Sequence, residues 1–595
     1  MTFPNLREVK RIALDTETTG LSRADLPIGI SWATADDHSG YLPWGHAGGN
    51  LPEDAVRRWA QTELCDKEIV FQNARFDIEM LRRWGVDLEA MNVTATDTQH
   101  QVALLDDKRR RFKLKELAED FFPGEVDWRK HDTTASGEPL DPSRMATYPV
   151  SEIAAYAEQD AKLTLRLSDD VFMPEIVRQD LGRVLALENE VIWVVCEMER
   201  NGAPVDVEAL RAWAIEAKTE LARLTEDLYN ATGVVLNPDS SKDWAALLAA
   251  KGLQSGELTE KGKPSYSDSA LQALAHDKHV SMGRRIARLA DLNSRYFNPY
   301  SERTKTEDML YFQLHQLRND EYGTISGRFS MSNVNLQQVL SLDKQIAKYG
   351  DRWIIRKLFR PRSGLWFSAD AAQIEYRIMA HYANSPKVLA TYAQNPMADY
   401  HKIVQDMLAP FKTLGRKEIK GLNFAKIFGA GRNKIAAMLG MPRAESDRFV
   451  SIYNRELPEA GQLMDQASHV ARVRGYVKTF LGRRARFEDR QRLHKALNAI
   501  IQGTAADIMK DRLVALHRAN RKSGLGLILR LTVHDEVDGD TPNEDAAIEA
   551  HRVLNEQSEK FPLRVPILWT MEIGSTWGDV HKIAKIEETS RRGVA

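Results

Sequence analysis

Residues Leu365–Ala383 read LWFSADAAQIEYRIMAHYA. The run Leu365-Trp366-Phe367 is apolar and short enough to be a buried strand. Ile374, Ile378 and Tyr382 follow at four-residue spacing, one face of a helix. Asp370 stands between them, at the mouth of a strand-to-helix turn, where a sheet presents a carboxylate to a cleft. Glu375 and Arg377 lie on the first helical turns, off the apolar face. Asp is also a favoured helix cap, and in isolation Asp370 has that ordinary reading. A functional reading requires a second carboxylate from elsewhere in the chain.

The chain has 595 residues, more than one hydrophobic core usually serves, so several domains are expected. Hydrophobic residues are 43% and charged residues 28%, the balance of an ordinary soluble protein. The formal net charge of -2 excludes a globally basic chain, so a nucleic-acid surface has to be local. Cys65 and Cys196 are far apart and lack metal-type spacing, which points to a reducing compartment without a disulfide framework. No apolar run reaches membrane-spanning length, and the N-terminus has no signal-type apolar region.

Toward the N-terminus, Arg11-Ile-Ala-Leu-Asp15 reads as a strand running into Asp15-Thr16-Glu17. Two carboxylates two residues apart on an extended chain point to the same side. Holding them together favours a divalent cation as partner. Glu68 to Asn73 is another strand, and the helix from Ala74 to Trp84 places Asp77 in its first turns. Ser151 caps a helix through Leu167, on which Tyr156 and Asp160 share a face. Each piece alone also fits an ordinary surface. Pro123 to Pro149 is a long polar loop leading into the Tyr156 helix, and it is expected to border whatever cleft that helix lines.

Further along, a helix near Val280 to Tyr296 carries Arg284, Arg285, Arg288 and Arg295. It fits a phosphate grip and a solvated basic face equally. Gly323 to Ser330, with Arg328, and then Asn335 and Gln337 suit contact with phosphates, sugars or base edges, or an ordinary turn. Arg416, Lys420, Phe424 and Phe428 recur at four-residue intervals, cationic first and aromatic last. A triphosphate carrying a flat base fits both halves. Arg472, Arg474, Lys478, Arg483, Arg484 and Arg486, interleaved with aromatics, form the strongest local polyanion signal. Asn498 and Gln502 share a helix face, placing two amides where base edges in a minor groove would be read. Leu527 to Val533 is a strand, His534-Asp535-Glu536 is an acidic hairpin tip, and the chain returns through Val537 and Gly539. Asp535 is the second carboxylate that Asp370 requires. A strand at about Val565 to Ile573 completes a small antiparallel sheet.

The N-terminal pieces occur in the order Asp-X-Glu, Asn73-X-X-Phe76-Asp77, Tyr156-X-X-X-Asp160. Together they resemble the DnaQ-like 3′–5′ exonuclease superfamily in its tyrosine-containing subtype, over residues 1–185. Residues 186 to about 580 resemble the family A DNA polymerases, the bacterial DNA polymerase I type. The motifs are Asp370-Ala-Ala-Gln-Ile-Glu375-Tyr-Arg, Arg416-X-X-X-Lys420-X-X-Asn-Phe424-X-X-X-Phe428-Gly, and Val533-His-Asp535-Glu536. Thr324-X-X-Gly-Arg328 with Asn335-Leu-Gln337, and Gln502-Gly-Thr-Ala-Ala-Asp, complete the match. The 5′-nuclease domain of many bacterial members is expected to be missing.

The resemblance implies a multidomain α/β and α+β fold. A ribonuclease H-like exonuclease domain (1–185) precedes a right-hand polymerase. The thumb would span 186–310, the palm 311–384 and 506–595, and the fingers 385–505. Two Mg²⁺ or Mn²⁺ ions would serve each active site, roughly 3.5–4 Å apart. Asp15, Glu17, Asp77 and Asp160 would hold the exonuclease pair, with Tyr156 orienting the attacking water. Asp370, Asp535 and the carbonyl of Ala371 would hold the polymerase pair. Arg416 and Lys420 would bind the incoming triphosphate, with Lys420 placed to protonate pyrophosphate, and Phe424 and Phe428 would line the nucleotide site. Glu375 would exclude a ribose 2′-hydroxyl. Arg328, Asn335, Gln337, Asn498, Gln502 and His534 would contact the primer–template. Primer–template DNA, dNTPs and replication accessory proteins are the implied partners, with a role in replication or repair. The implied setting is a bacterial or phage-infected cytoplasm, without a membrane.

Two departures stand out. Ala371-Ala372 replaces the usual Tyr-Ser, and Phe428 replaces the usual Tyr. Phe424 predicts discrimination against dideoxynucleotides. A single-subunit RNA polymerase shares the palm, but Glu375 and the exonuclease motifs argue against it. An exonuclease on a degenerate polymerase scaffold is opposed by Asp370, Asp535, Lys420 and Arg416. A non-catalytic DNA-binding protein is opposed by the acidic clusters, which repel DNA unless neutralised.

Overall fold

A computed structural model describes residues 3–125, 133–259, 261–410, 414–427, 430 and 432–586. In its N-terminal part, β1 (Arg11–Thr18), β2 (Pro27–Thr34), β3 (Ser39–Pro43), β4 (Glu68–Phe71) and β5 (Thr94–Asp97) form one sheet. The strand order is β3-β2-β1-β4-β5, antiparallel on the β2–β3 side and parallel on the β4–β5 side. β1 is central, and its Ile12, Ala13 and Leu14 are fully buried. Helix α1 (Ala74–Arg83) follows β4 directly, and helix α2 (Val150–Arg166) lays Ala161 and Leu165 against Ala13, Ala33 and Val70. Ser151 does not cap α2. The helix already begins at Val150, after Pro149, and Pro149 has no side-chain acceptor for a capping bond.

Helix α3 (Gly182–Asn201) leads out of this part and α4 (Val207–Thr232) follows it. The C-terminal sheet is built from β6 (Leu365–Ala371), β7 (Ile528–Val533), β8 (Glu536–Thr541), β9 (Trp569–Gly574) and β10 (Val580–Lys582). Its order is β7-β8-β6-β9-β10, antiparallel throughout. Trp366, Phe367 and Ala369 are wholly buried, so β6 is a covered central strand, as its apolar run predicts. Helices α5 (Ile374–Ala383), α6 (Arg416–Ile427) and α7 (Ala496–Ser523) complete the framework. The strand expected from Val565 starts only at Trp569. Pro566 cannot donate to a ladder, and its carbonyl instead accepts from Arg377 Nη1 at 2.8 Å.

The two parts are joined by buried charge. Glu188 on α3, Arg483, and Asp507 and Lys510 on α7 are all buried. Lys510 Nζ lies 2.6 Å from Glu188 Oε1, and Arg483 pairs with both Glu188 and Asp507. Against burial, which pushes it up, Lys510 and Arg483 hold the Glu188 carboxyl down at about 2. Arg486 pairs with Asp107 and Lys478 with Asp180, while Arg484 donates to the Gln179 carbonyl. The run read from sequence as a polyanion surface is therefore largely an internal fastening. Arg284, Arg285, Arg288 and Arg295 are likewise ion-paired, with Asp268, Glu220, Asp268 and Asp291.

His517 on α7 is a second tie, bonded to Glu197 through Nδ1 and to Glu89 through Nε2. Burial pulls its pKa down, but the two carboxylates win and raise it from 6.5 to about 9. A raised histidine pKa contributes stability that is fully present below the unfolded value and lost as pH rises through the folded one. The shift from 6.5 to about 9 corresponds to about 3 kcal/mol. His517→Gln is therefore expected to melt well below the parent protein at pH 6, with the gap closing by pH 9.5. Parallel thermal melts across that range check it, and a gap independent of pH would exclude the ionic tie.

Candidate active sites

The first site forms where β1, α1 and α2 converge. Asp15 and Glu17 are two apart on β1, opposite Ser31 and Gly29 of β2. Asn73 starts α1 in the left-handed conformation, with φ of 70°. That turn brings Asp77 onto β1, where its Oδ1 accepts from Thr16 N at 3.0 Å and Thr16 Oγ1 at 2.6 Å. Burial raises the Asp15 carboxyl far above its ordinary range, and Asp77, Glu17 and Asp160 push it further. Glu17 rises to about 8 by burial and by the charges of Asp160 and Asp77. Asp77 rises to about 7 by burial, against its bonds from Thr16. Asp160 holds the Tyr156 phenol protonated, and burial, Glu17 and Asp15 add to the effect. All five side chains singled out from sequence thus share one space.

Part of the loop before α2 packs beside Tyr156. Met145 is buried against Ile28 and Ile153, and Tyr156 packs on the same cluster. The rest of that loop, residues 126–132, lies outside the described residues.

The second site lies on the C-terminal sheet. Asp370 is inside β6 and does not cap α5, which is preceded by Gln373 in the left-handed conformation at φ 52°. The β7–β8 hairpin turns through His534, at φ 58°, and Asp535. Asp370 pairs across the strands with Glu536, and the Ala371 N–H donates to the Asp535 carbonyl at 3.0 Å. The Ala372 N–H donates to Leu568 O, and the Ala372 carbonyl accepts from Arg377 Nε, both at 2.8 Å. The alanines' own backbone groups make these ties, so the turn needs no hydroxyl at either position. The surrounding protein raises Asp370 to about 7, helped by Glu536, Asp535 and Glu572. Burial also raises Asp535, opposed by Arg328.

Glu536 is engaged from behind. Its Oε1 accepts from Arg356 Nη1 at 3.0 Å, Ser368 Oγ at 3.2 Å and Trp577 Nε1 at 3.1 Å. Asp370 and Asp535 are left as the carboxylates facing the cleft. Arg328 is ion-paired with buried Glu375 and lies 3.7 Å from Asp535. Among the described residues, no group of three or more His, Cys, Asp or Glu side chains is arranged so that it could hold a metal ion as it stands.

Helix α6 carries the cationic side chains and Phe424 singled out from sequence. Arg416 and Lys420 are exposed, and Phe424 packs edge-on against Tyr376 at 5.4 Å. Arg416 is held by Asp399 at 2.6 Å, and Lys420 Nζ lies 5.8 Å from the Phe424 ring centre. Phe428 lies outside the described residues. Asn335 caps a short turn containing Gln337, whose Nε2 donates to Thr532 O on β7 at 3.1 Å. Asn498 and Gln502 are half-buried on α7, and Asn498 Oδ1 is a buried acceptor without a partner among the described residues.

Sequence reasoning missed Arg356, Ser368 and Trp577 as the holders of Glu536, since no local pattern joins residues so far apart. It also missed a groove of about 390 Å³ between the two parts, lined by Leu21, Asn73, Phe76, Arg83, Arg303 and Tyr311 among others. Leu21 is 86% exposed, an apolar side chain held out in solvent beside the acidic strand.

The family model for DNA polymerase family A matches residues 207–579, and that for a 3'-5' exonuclease matches residues 2–172. A DNA polymerase DpoZ of Salmonella phage PMBT28 is 29% identical over 628 aligned positions, covering 95% of this chain and 96% of that protein. A DNA polymerase I of Pseudomonas aeruginosa is 28% identical, covering 97% of this chain and 64% of that protein. The solved POL domain of Pol1 from M. smegmatis, in complex with DNA primer-template and dNTP, superposes with a TM-score of 0.77 at 22% identity, covering 96% of each chain.

Proposed function

The chain belongs to DNA polymerase family A and carries a 3′–5′ exonuclease domain, and from that premise we propose how its residues divide the two activities. The observation that carries the proposal is the presence of two separate carboxylate groups, one on each sheet, in which burial and neighbouring carboxylates raise Asp15, Glu17 and Asp370. Clustered acids of this kind fit divalent cations, which relieve their repulsion. Asp15, Glu17, Asp77 and Asp160 would hold Mg²⁺ or Mn²⁺ in the exonuclease, and Asp370, Asp535 and the Ala371 carbonyl in the polymerase, two ions in each. When bound, such a pair activates the attacking oxygen and stabilises the leaving one.

The chain's own residues do the rest. Tyr156 orients the water that attacks the terminal phosphodiester. Arg416 and Lys420 take the triphosphate, Arg416 exchanging Asp399 for phosphate oxygens, and Lys420 protonates the departing pyrophosphate. Phe424 backs the base and sugar, with Phe428 following on the same helix. Arg328, Asn335, Gln337, Asn498, Gln502 and His534 contact the primer–template. Residues 1–185 are the exonuclease domain, 186–310 the thumb, 311–384 and 506–595 the palm, and 385–505 the fingers. The groove between the two parts receives the single strand to be trimmed, with Arg83 and Arg303 toward phosphates and Leu21 toward bases. No helix among the described residues is long and apolar enough to cross a membrane. The cytoplasm of a bacterium or phage-infected host, with replication accessory proteins, is the setting this reading favours.

A labelled primer–template with Mg²⁺ tests the whole reading. The primer should lengthen with dNTPs and shorten without them, and failure of either would remove the corresponding site. Glu375 supplies a finer prediction. It is buried against Arg328, where a 2′-hydroxyl would meet a desolvated ion pair. Glu375→Ala is expected to lower the preference for dNTP over rNTP by about 10- to 100-fold in kcat/KM. Unchanged discrimination would move the sugar gate elsewhere.

A further inference from the structure

Asp15, Ser31 and Tyr41 lie in one row across β1, β2 and β3, and Glu17, Gly29 and Pro43 form the next row along the same face. Ser31 is small and Gly29 has no side chain, so the Tyr41 ring lies down across that face. A Cβ on Gly29 would stand 1.9 Å from Tyr41 Oη. Directly opposed side chains begin about 5 Å apart, so the phenol oxygen is roughly one side chain away from Glu17. Tyr41 and Tyr156 pack on the same small cluster, Ile28, Met145 and Ile153.

The polarity of the phenol is fixed from outside. Tyr41 Oη is 2.6 Å from His46 Nε2, and His46 Nδ1 is 3.1 Å from the Met145 carbonyl. A carbonyl only accepts, so Nδ1 carries a proton. His46 is buried, and burial lowers its pKa, so Nε2 of the neutral ring is the acceptor. The Tyr41 hydroxyl therefore donates to His46. What remains on the Glu17 side is a pair of oxygen lone pairs.

We propose that Tyr41, with its hydroxyl proton committed to His46, is a positioning residue of the exonuclease that accepts a hydrogen bond from the water attacking the terminal phosphodiester. Tyr156 commits its single hydroxyl proton to the Asp160 carboxylate, so toward the water it too can only accept. With Tyr156 taking one proton of the water and Tyr41 the other, a lone pair of the water is left to face phosphorus. The proposal rests on the exonuclease site assigned above.

The test is trimming of a 5′-labelled single-stranded oligonucleotide, with its affinity measured separately in EDTA and primer extension followed on the same protein. Tyr41→Phe keeps the ring and should lower the saturating trimming rate about tenfold, with affinity within twofold and extension unchanged. His46→Ala should match it, and the double variant should lose no more than either alone. His46→Gln, which still offers an acceptor oxygen, should keep at least half the rate. Normal trimming by Tyr41→Phe would overturn the proposal, as would a rate loss matched by weaker binding or a parallel loss of extension. Asp15→Ala separates the premise: if it still trims, the site itself is misplaced, whatever Tyr41→Phe does.

Discussion

Asp535→Ala is expected to slow primer extension by about 10³-fold or more while trimming of a single strand proceeds at the parental rate. Asp535 and Asp370 face the cleft, whereas Glu536 is occupied by Arg356, Ser368 and Trp577. Alanine leaves Asp370 without its partner, and Arg328, 3.7 Å from Asp535, with only Glu375. The hairpin should survive, because Asp535 contributes its backbone carbonyl, not its side chain, to the bond with Ala371. Single-turnover extension and single-strand trimming on one preparation read both arms. Loss of both in a protein with parental melting would refute the division into two sites.

The converse change should be as large. Asp15→Ala is expected to reduce trimming by about 10³-fold and leave extension intact. It carries a second signature in stability. Burial and the charges of Asp77, Glu17 and Asp160 raise the Asp15 pKa in the folded chain. The folded state then binds more protons than the unfolded one, and stability falls as pH rises from the ordinary carboxylate range toward the folded pKa. Removing the acid removes that penalty. In EDTA, Asp15→Ala should melt above the parent at pH 8, with the difference shrinking toward pH 4. A variant that trims normally, or that melts lower at pH 8, would show that Asp15 is not one of a mutually repelling set. The penalty is of the kind active sites commonly impose on the folds that carry them.

Much of this was legible because the chemistry is local. Asp15 and Glu17 share a face by strand period, and Tyr156 and Asp160 by helix period. Asp370, Arg416 and Asp535 each sit at an element end that can be read from a dozen residues. What was not legible depended on distant partners. Arg483 belongs to a basic run with interleaved aromatics, and nothing nearby reveals that Glu188 and Asp507 bury it. Arg284, Arg285 and Arg288 of the 278–292 helix look solvated until Asp268 and Glu220 arrive from other elements. Asp370 looked like a cap because the left-handed Gln373, which lets β6 run one residue past it before α5 begins, has no sequence signature of its own. Ser151 failed for a smaller reason, a proline that starts its helix early.

The ties across the chain bear on how a proofreading-free enzyme should be made. Cutting away the first 185 residues would strip Glu89 from His517, Asp107 from Arg486, Arg75 from Glu199 and Glu79 from Arg200. Glu199 and His517, sheltered in the whole molecule, would each lose an ion-pair partner on a newly wetted surface, His517 keeping only Glu197. The exonuclease is thus less an appendage than half of a shared wall. An inactivated exonuclease kept in place makes a sounder tool than a shortened chain.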